Sequence, residues 1–200
     1  WAEQGGIATA SWHLNVPTDF ANYTIGTKID WDKTTYSQKT DFSPSKAATE
    51  GTKENQYYTQ ALDTLAEQFL ILQEKGIPLL WRPLHEAEGG GGESGSWFWW
   101  GREGSKAYRE LYIYTYKYLT ETKGCHNLIW EFNSYNYSTS ENWYPGDAYV
   151  DIIGYDKYNC TDWSTGSAVL KHNDSAISST FYGLMEKYNS AKMIAMMECD

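Results

Sequence analysis

The chain has 200 residues, enough for one domain, and its 16 Lys and Arg against 26 Asp and Glu give a formal net charge of −10. This acidic balance argues against a nucleic-acid partner. The apolar runs are far shorter than the roughly 18 residues of a membrane span, so we expect no membrane partner either. Aromatic residues make up 16% of the chain, including 10 Trp and 17 Tyr. Such an excess on an acidic domain indicates flat faces that stack on a ligand, and sugar rings are a common one.

Apolar, β-rich runs alternate with helical patterns along the chain. The first strand is predicted at residues 6–14, and the later ones at 77–84, 127–132, 149–156 and 192–197. Each run is nearly continuous in apolar residues, which predicts strands that are covered on both faces.

Helical patterns separate these strands. After the first strand, an apolar stripe steps by four and three residues through Tyr58, Leu62, Leu65, Phe69 and Leu72. Gly76 and Pro78 end this helix. Two further helices are predicted at about 105–123 and 175–188 from the same kind of pattern. Strand–helix repetition predicts parallel strands joined by right-handed crossovers.

Long polar segments follow the strands, whereas the helices end in short glycine turns. This arrangement puts the functional face at the carboxyl ends of the strands, as in an α/β (β/α)8 TIM barrel. A doubly wound sheet is the alternative, but the chain has no Walker loop, and its glycine run at 89–92 lacks the Lys-Ser/Thr and the following helix of a phosphate loop. A closed barrel has eight strands and about 250 residues. We therefore predict a TIM barrel of which only the middle and late strands are present, with residues 1–200 as one catalytic domain incomplete at both ends.

Residues capable of chemistry gather where all five predicted strands end. They are Ser11, Trp12, His13, Arg82, His85, Glu86, Glu131, Asn133, Asp156, Tyr158 and Glu198. Side chains alternate between the two faces of a strand, which predicts that Arg82 and Glu86 share a face. The same rule puts Glu198 on the face of Ile194 and Met196.

Two strand-end glutamates in aromatic surroundings, Glu86 and Glu198, point to a glycosidase. Such an enzyme needs one protonated and one ionised carboxyl group, and partial burial by aromatic rings separates their pKa values. Glu131 competes for one of these roles. Its alternative role is that of an ion-pair partner for a basic residue such as Arg82.

His13 and His85 have two further interpretations. They could be hydrogen-bonded core histidines, or zinc ligands together with Glu86 or Asp156. The chain lacks H-E-x-x-H and C-x-x-C spacings, and we expect neither a metal nor a cofactor. Three cysteines are too few for a disulfide scaffold, although one bridge stays open. The four consecutive aromatic residues at 97–100 cannot all face one core, so at least one should face solvent or ligand.

Residues 81–86 read WRPLHE, and after a glycine-rich stretch residues 97–101 read WFWWG. Together they resemble the signature of glycoside hydrolase family 26, which consists mostly of β-mannanases. Five more segments resemble motifs of that family: SWH at 11–13, NLIW at 127–130, WYPGD at 143–147, VDIIGYD at 150–156 and MIAMME at 193–198. The resemblance thus extends from end to end of the chain.

The resemblance implies a (β/α)8 barrel and a retaining mechanism, with Glu86 as general acid/base and Glu198 as nucleophile. It also implies that Tyr158 hydrogen-bonds the nucleophile. The other predicted substrate-binding residues are Trp12, His13, His85, Trp97, Asp156 and Trp163. Of these, Trp97 and Trp163 would be platforms for sugar rings, and the histidines would bind sugar or orient the carboxylates.

We expect a secreted, endo-acting β-1,4-mannanase that hydrolyses plant mannan or glucomannan by a two-glutamate double displacement. Two alternatives stay open: the same mechanism on mixed-linkage β-glucan or β-1,3-xylan, and a non-catalytic carbohydrate-binding protein. The glutamate pair argues against the second, because a binding module needs no such pair. Binding modules are also usually β-sandwiches, which the helical stripes disfavour. We expect a monomer and leave open its attachment to other modules.

Overall fold

A five-stranded parallel sheet forms the centre of the computed structural model, which describes residues 1–95, 97–158, 160–162, 164–170, 175–189 and 191–199. Its strands are β1 Ala8–Ser11, β2 Leu79–Arg82, β3 Leu128–Asn133, β4 Ile152–Asp156 and β5 Met193–Glu198. They pair in chain order, each parallel to the next. All five predicted strands are confirmed, and their order is that of a partial (β/α)8 barrel.

Helices connect the strands. The α-helices are α1 Pro44–Ala47, α2 Lys53–Glu74, α3 Gly104–Lys117 and α4 Tyr182–Lys187. Turns of π-helix extend α3 through Tyr118–Thr122 and precede α4 at Ser175–Phe181. Short 3-10 helices lie at Ala2–Gln4, Trp31–Lys33, Trp99–Gly101 and Ser140–Trp143. Among the residues described, no helix has both the length and the apolar character to cross a membrane.

Two small antiparallel ribbons lie outside the main sheet. They pair Val16–Pro17 with Thr34–Thr35, and Thr161–Asp162 with Val169–Leu170. Both belong to the long polar segments that follow strands.

Helix α2 forms where the apolar stripe predicts it. The hydroxyl of Thr52 caps its first turn by accepting a hydrogen bond from the Asn55 amide at 3.0 Å. Tyr58, Leu62 and Phe69 are buried against the sheet. The ring of Phe69 lies 5.0 Å from that of Trp81 on β2. Burial of the stripe against the strands is therefore what holds the helix in place.

The two faces of the sheet differ in chemistry. The outer face carries apolar side chains that pack under the helices: Trp81, Trp130, Phe132, Ile153 and Tyr155. Alternation along the strands turns the intervening polar residues to the inner face: Arg82, Glu131, Asn133 and Asp156. The hydrophobic core therefore lies between sheet and helices, and the ionisable groups lie inside the curve of the sheet.

The expectation that every strand is covered on both faces is wrong at the sheet edges. Strand β4 is buried throughout. In contrast, β1 alternates between half-buried and exposed residues, and Met193 and Met196 of β5 are 62% and 46% exposed. The reason is that, within the described part of the chain, β1 and β5 lie at the two edges of the sheet and each pairs with a strand on one side.

Candidate active site

Arg82 is the centre of a charge cluster on the inner face of the sheet. Its guanidinium binds three carboxyl groups, one from each of the three following strands. Nη1 lies 2.5 Å from Oε1 of Glu198, Nη2 hydrogen-bonds Oδ2 of Asp156, and Nε lies 3.7 Å from Oε2 of Glu131. The Arg82 side chain is only 3% exposed and that of Glu131 is fully buried. Glu131 therefore lies beside Arg82, the basic residue predicted as its partner.

One guanidinium cannot neutralise three carboxylates, and burial decides which of them keeps its charge. Burial raises the pKa of Glu131 to about 8, against the opposing charge of Arg82. Burial likewise raises the pKa of Asp156 to about 8, again against Arg82, with further contributions from Glu86 and Glu198. For Glu198, partial burial is outweighed by the Tyr158 hydrogen bond and by Arg82, which together lower its pKa. Glu198 is therefore the member of the cluster that stays ionised.

Glu198 is positioned by an irregularity between the last two strands. A β-bulge follows the Tyr155–Met196 pair, so that Asp156 lies opposite Glu198. The bulge shifts the alternation of β5 by one residue, and the predicted placement of Glu198 on the face of Ile194 and Met196 is wrong for that reason.

The second carboxylate oxygen of Glu198 is also held. The Tyr158 hydroxyl donates a hydrogen bond to Oε2, as predicted. Since Arg82 binds Oε1 at 2.5 Å, both oxygens of the group are engaged by donors from other strands and loops. The side chain nevertheless remains 36% exposed, so it is accessible from the open end of the sheet.

Glu86 lies in a turn and not on a strand. Strand β2 ends at Arg82, and Leu84 and Glu86 both adopt positive φ, at 50° and 52°. Strand alternation has therefore ended before Glu86, but the Glu86 carboxyl group still contacts Asp156, which Arg82 also binds. The Glu86 amide donates to Oδ1 of Asn133 at 2.9 Å, and Nδ2 of Asn133 donates to Oδ2 of Asp156 at 2.9 Å. Asn133 thus joins the Glu86 turn to the Arg82 cluster.

The Glu86 carboxylate has a partner that the sequence reasoning missed. The hydroxyl of Tyr135 donates to Oε1 of Glu86 at 2.9 Å. Tyr135 follows β3 in an irregular segment, where no periodic pattern marks it out. Asn133 was noted as a strand-end residue without being assigned to the site, and its position at the end of β3 was the available signal.

The two histidines lie against each other beside this turn. Nε2 of His85 is 3.2 Å from Nε2 of His13. His85 is buried, and the indole N–H of Trp100 donates to its carbonyl oxygen at 2.8 Å. Burial, reinforced by the charges of Arg82 and His13, lowers the pKa of His85 to about 3. His85 is therefore a neutral imidazole, whereas His13 is exposed at the surface of the site.

The aromatic run at 97–100 divides as predicted. Trp99 and Trp100 are completely buried and Phe98 is 8% exposed, but Trp97 is 44% exposed. The ring of Trp97 stands edge-to-face with that of Tyr135, with centroids 6.3 Å apart. Trp97 therefore offers a free face close to Glu86.

Trp12 lies outside this constellation. It packs against the core and lines a groove of about 550 Å³ whose other wall is formed by Tyr57, Ala61 and Leu65 of α2. His13 lines the same groove. Trp163, also predicted as a sugar-binding residue, lies outside the described residues.

The cysteines and possible metal ligands are dispersed. Cys125 and Cys199 are free thiols, the first of them buried. Within the described part of the chain, no three His, Cys, Asp or Glu side chains are grouped as the ligands of a metal ion would be.

Comparison with known proteins gives a consistent relationship. Residues 1–199 match the model of glycosyl hydrolase family 26. A mannan endo-1,4-β-mannosidase of Thermothelomyces thermophilus is 40% identical over 160 residues, or 78% of this chain. The crystal structure of a ruminal GH26 endo-β-1,4-mannanase is similar over 100% of the chain, with 46% identity and a TM-score of 0.89. An endo-β-mannanase/endo-β-glucanase of Prevotella bryantii is similar over the same extent, with 38% identity and a TM-score of 0.81.

These relatives are longer than the chain. The chain spans 30% of the Thermothelomyces protein, 42% of the ruminal enzyme chain and 28% of the Prevotella chain.

Proposed function

The chain belongs to glycosyl hydrolase family 26, and on this basis we propose that residues 1–200 are part of the catalytic domain of an endo-acting, retaining β-1,4-mannanase. The relatives named as mannan endo-1,4-β-mannosidases support the choice of sugar. The Arg82 cluster supports the chemistry, because it keeps Glu198 ionised and holds both of its oxygens.

Glu198 is the nucleophile of the proposed reaction. Its carboxylate attacks the anomeric carbon of the mannosyl unit, forms a covalent glycosyl–enzyme bond and displaces the leaving sugar. An ionised carboxylate is required for this step, and the lowered pKa of Glu198, due to Tyr158 and Arg82 against partial burial, meets that requirement.

Glu86 is the general acid/base. In the first step it donates a proton to the glycosidic oxygen of the leaving sugar, and in the second it takes a proton from the water that releases the product. Retaining enzymes separate these two carboxyl groups by about 5–5.5 Å. We expect that spacing between Glu86 and Glu198 in the complex with substrate.

The surrounding residues bind the sugar. His85, whose pKa burial lowers to about 3, is a neutral partner for a sugar hydroxyl, and exposed His13 lies next to it. The free face of Trp97 stacks on a sugar ring on the leaving-group side of Glu86. Tyr158 and Asp156 contact the sugar at the cleavage point. We further propose that the protein is secreted and acts as a monomer on plant mannan.

Hydrolysis of a polysaccharide panel tests this function. With the purified protein, we expect mannan and glucomannan to be cleaved internally, so that viscosity falls before much reducing sugar is released. Barley β-glucan and β-1,3-xylan serve as the matched substrates for the alternatives. Cleavage of either in preference to mannan would contradict the proposed specificity, and binding without any cleavage would contradict the enzyme assignment.

A further inference from the structure

The backbone of the turn that carries Glu86 is strained, so contacts with neighbouring segments must stabilise it. Leu84 and Glu86, two non-glycine residues within three positions, adopt positive φ at 50° and 52°. A residue that carries a side chain rarely adopts this region, and the conformation persists only where neighbouring structure supports it. The Asn133 side chain supports the backbone of Glu86, but it does not touch the carboxyl group.

Tyr135 contacts the carboxyl group directly. Its hydroxyl lies 2.9 Å from Oε1 of Glu86. Burial and the neighbouring Glu86 raise the pKa of Tyr135, so that its hydroxyl keeps its proton and acts as a donor. The ring is fixed between Trp97, at 6.3 Å, and Tyr137, at 5.6 Å. Tyr135 is therefore a fixed donor aimed at one oxygen of Glu86.

Glu88 ties the loop of Tyr135 to the loop of Glu86. The Glu88 side chain is buried. Its Oε1 accepts a hydrogen bond from the Thr139 hydroxyl at 2.8 Å, and Oε2 accepts one from the Ser140 hydroxyl at 2.7 Å. The Gly92 amide adds a third link by donating to the Thr139 hydroxyl at 3.0 Å. Burial of a carboxyl group is costly without hydrogen bonds, so these two hydroxyl groups stabilise Glu88 in its position between the loops.

We propose that Tyr135 is a positioning residue for the acid/base Glu86, and that Glu88 holds Tyr135 in place through Thr139 and Ser140. This inference rests on the proposed function of Glu86. Because the Tyr135 hydroxyl occupies Oε1, the proton that Glu86 gives and takes is carried on Oε2. Tyr135 thus selects which oxygen faces the leaving sugar.

Tyr135→Phe tests this directly, because it removes the hydroxyl and keeps the ring. For mannan, whose leaving group needs acid assistance, we expect kcat/KM to fall about 10-fold or more. For an aryl mannoside with a good leaving group we expect a fall of less than about 2-fold. The loss on mannan should lie in kcat, with KM little changed, because the hydroxyl acts on proton transfer and not on substrate binding. Tyr182→Phe, the matched control at an exposed tyrosine on α4, should change none of these.

A double-mutant cycle tests the proposal that Glu88 acts through Tyr135. We expect Glu88→Ala to reproduce the Tyr135→Phe effects and the double variant to be no worse than either single one. If Glu88→Ala fails to fold, Thr139→Ala takes its place, because it removes one of the two hydroxyl groups that bind the Glu88 carboxyl group. Glu88→Gln, which keeps an acceptor, should restore most of the activity. If the losses of activity in the two single variants added up in the double variant, the proposed role of Glu88 would be wrong.

Failure of the inference can be told apart from failure of the proposed function. If Glu86→Ala is not rescued by azide, the acid/base role itself is wrong. If it is rescued, but Tyr135→Phe keeps the kcat of the parent protein on mannan, Tyr135 does not position Glu86. Equal losses of kcat on both substrates would likewise reduce Tyr135 to a packing residue.

Discussion

Arg82 and Glu198 form a 2.5 Å ion pair although two strands of the sheet separate them. Neighbouring strands lie about 4.8 Å apart, so a flat sheet would put β2 and β5 about 14 Å from each other. Only a strongly curved sheet lets one side chain span that gap. The curvature of the half-barrel is therefore what brings the guanidinium to the proposed nucleophile.

Replacement of each of the two proposed catalytic glutamates should reduce activity in a different way. We expect Glu198→Ala to lose activity on every substrate, because no other carboxylate can form the covalent intermediate. Glu86→Ala should lose about 10²–10⁴-fold on mannan but retain glycosylation by substrates with good leaving groups. Added azide should then restore its turnover. Steady-state kinetics with aryl mannosides, with and without azide, measure the difference. If azide rescued Glu198→Ala and gave a product of retained configuration, the roles of the two glutamates would be reversed. Glu110→Ala, at an exposed position on α3, is the control.

Tyr158 should set the acidic limb of the activity profile. Its hydrogen bond is among the causes that lower the pKa of Glu198 against partial burial. Because the nucleophile must be ionised, loss of that bond in Tyr158→Phe should raise the pKa of Glu198 and shift the acidic limb of kcat/KM upward by about one pH unit. The alkaline limb should stay in place. A pH–rate profile of this variant beside Tyr182→Phe, which alters an exposed tyrosine on α4, provides the measurement. An acidic limb identical to that of the parent would show that Arg82 alone sustains the ionised state.

Trp97 should contribute to binding without contributing to folding. Its side chain is 44% exposed, whereas the next three aromatic residues are buried. We expect Trp97→Ala to weaken kcat/KM on polymeric mannan by about 1 kcal/mol, or roughly 5-fold, through lost stacking on a sugar ring. The melting temperature should be unchanged. Tyr182→Ala, which truncates an exposed aromatic residue elsewhere, is the matched control for both measurements. A lower melting temperature with unaltered kinetics would make Trp97 a packing residue.

Glu131 should make the protein less stable as the pH rises. Burial raises its pKa from 4.5 to about 8, against the charge of Arg82. The folded protein therefore keeps the proton while the unfolded chain loses it. The stability that this group contributes is complete below about pH 4.5 and is lost as the pH rises through 8.

Glu131→Gln cannot titrate, so its free energy of unfolding should fall less between pH 5 and 8 than that of the parent protein. Denaturant unfolding at each pH unit measures both slopes. Glu110→Gln, at an exposed position, should leave the parent slope unchanged. Parallel curves for Glu131→Gln and the parent would mean that Glu131 is already ionised in the folded protein.

The order of elements followed from local patterns in the sequence. Apolar stripes such as Tyr58, Leu62 and Phe69 predict a helix because a 3.6-residue repeat puts them on one side. Strand-end residues such as Arg82 and Asp156 were recognisable because parallel strands collect their carboxyl ends at one edge. These signals depend only on neighbours in the chain, and the structure confirms them.

Side-chain direction beyond the strands did not follow from the sequence. Glu86 was assigned by alternation to the face of Arg82, but positive φ at two residues turns the chain after β2. Glu198 was assigned to the face of Ile194, but a bulge beside Asp156 shifts it to the other. Alternation holds only while the backbone stays regular, and neither irregularity has a residue pattern of its own.

Residue identity and spacing thus determined the parallel β/α order and the choice of Glu86 and Glu198 as the candidate carboxyl groups. The tertiary structure alone decided that Arg82 reaches Glu198, that Asn133 and Tyr135 hold Glu86, and that Trp12 turns toward α2. These contacts join residues from separate strands and loops. They arise from the curvature of the sheet and from hydrogen bonds between loops, which are properties of the folded chain as a whole.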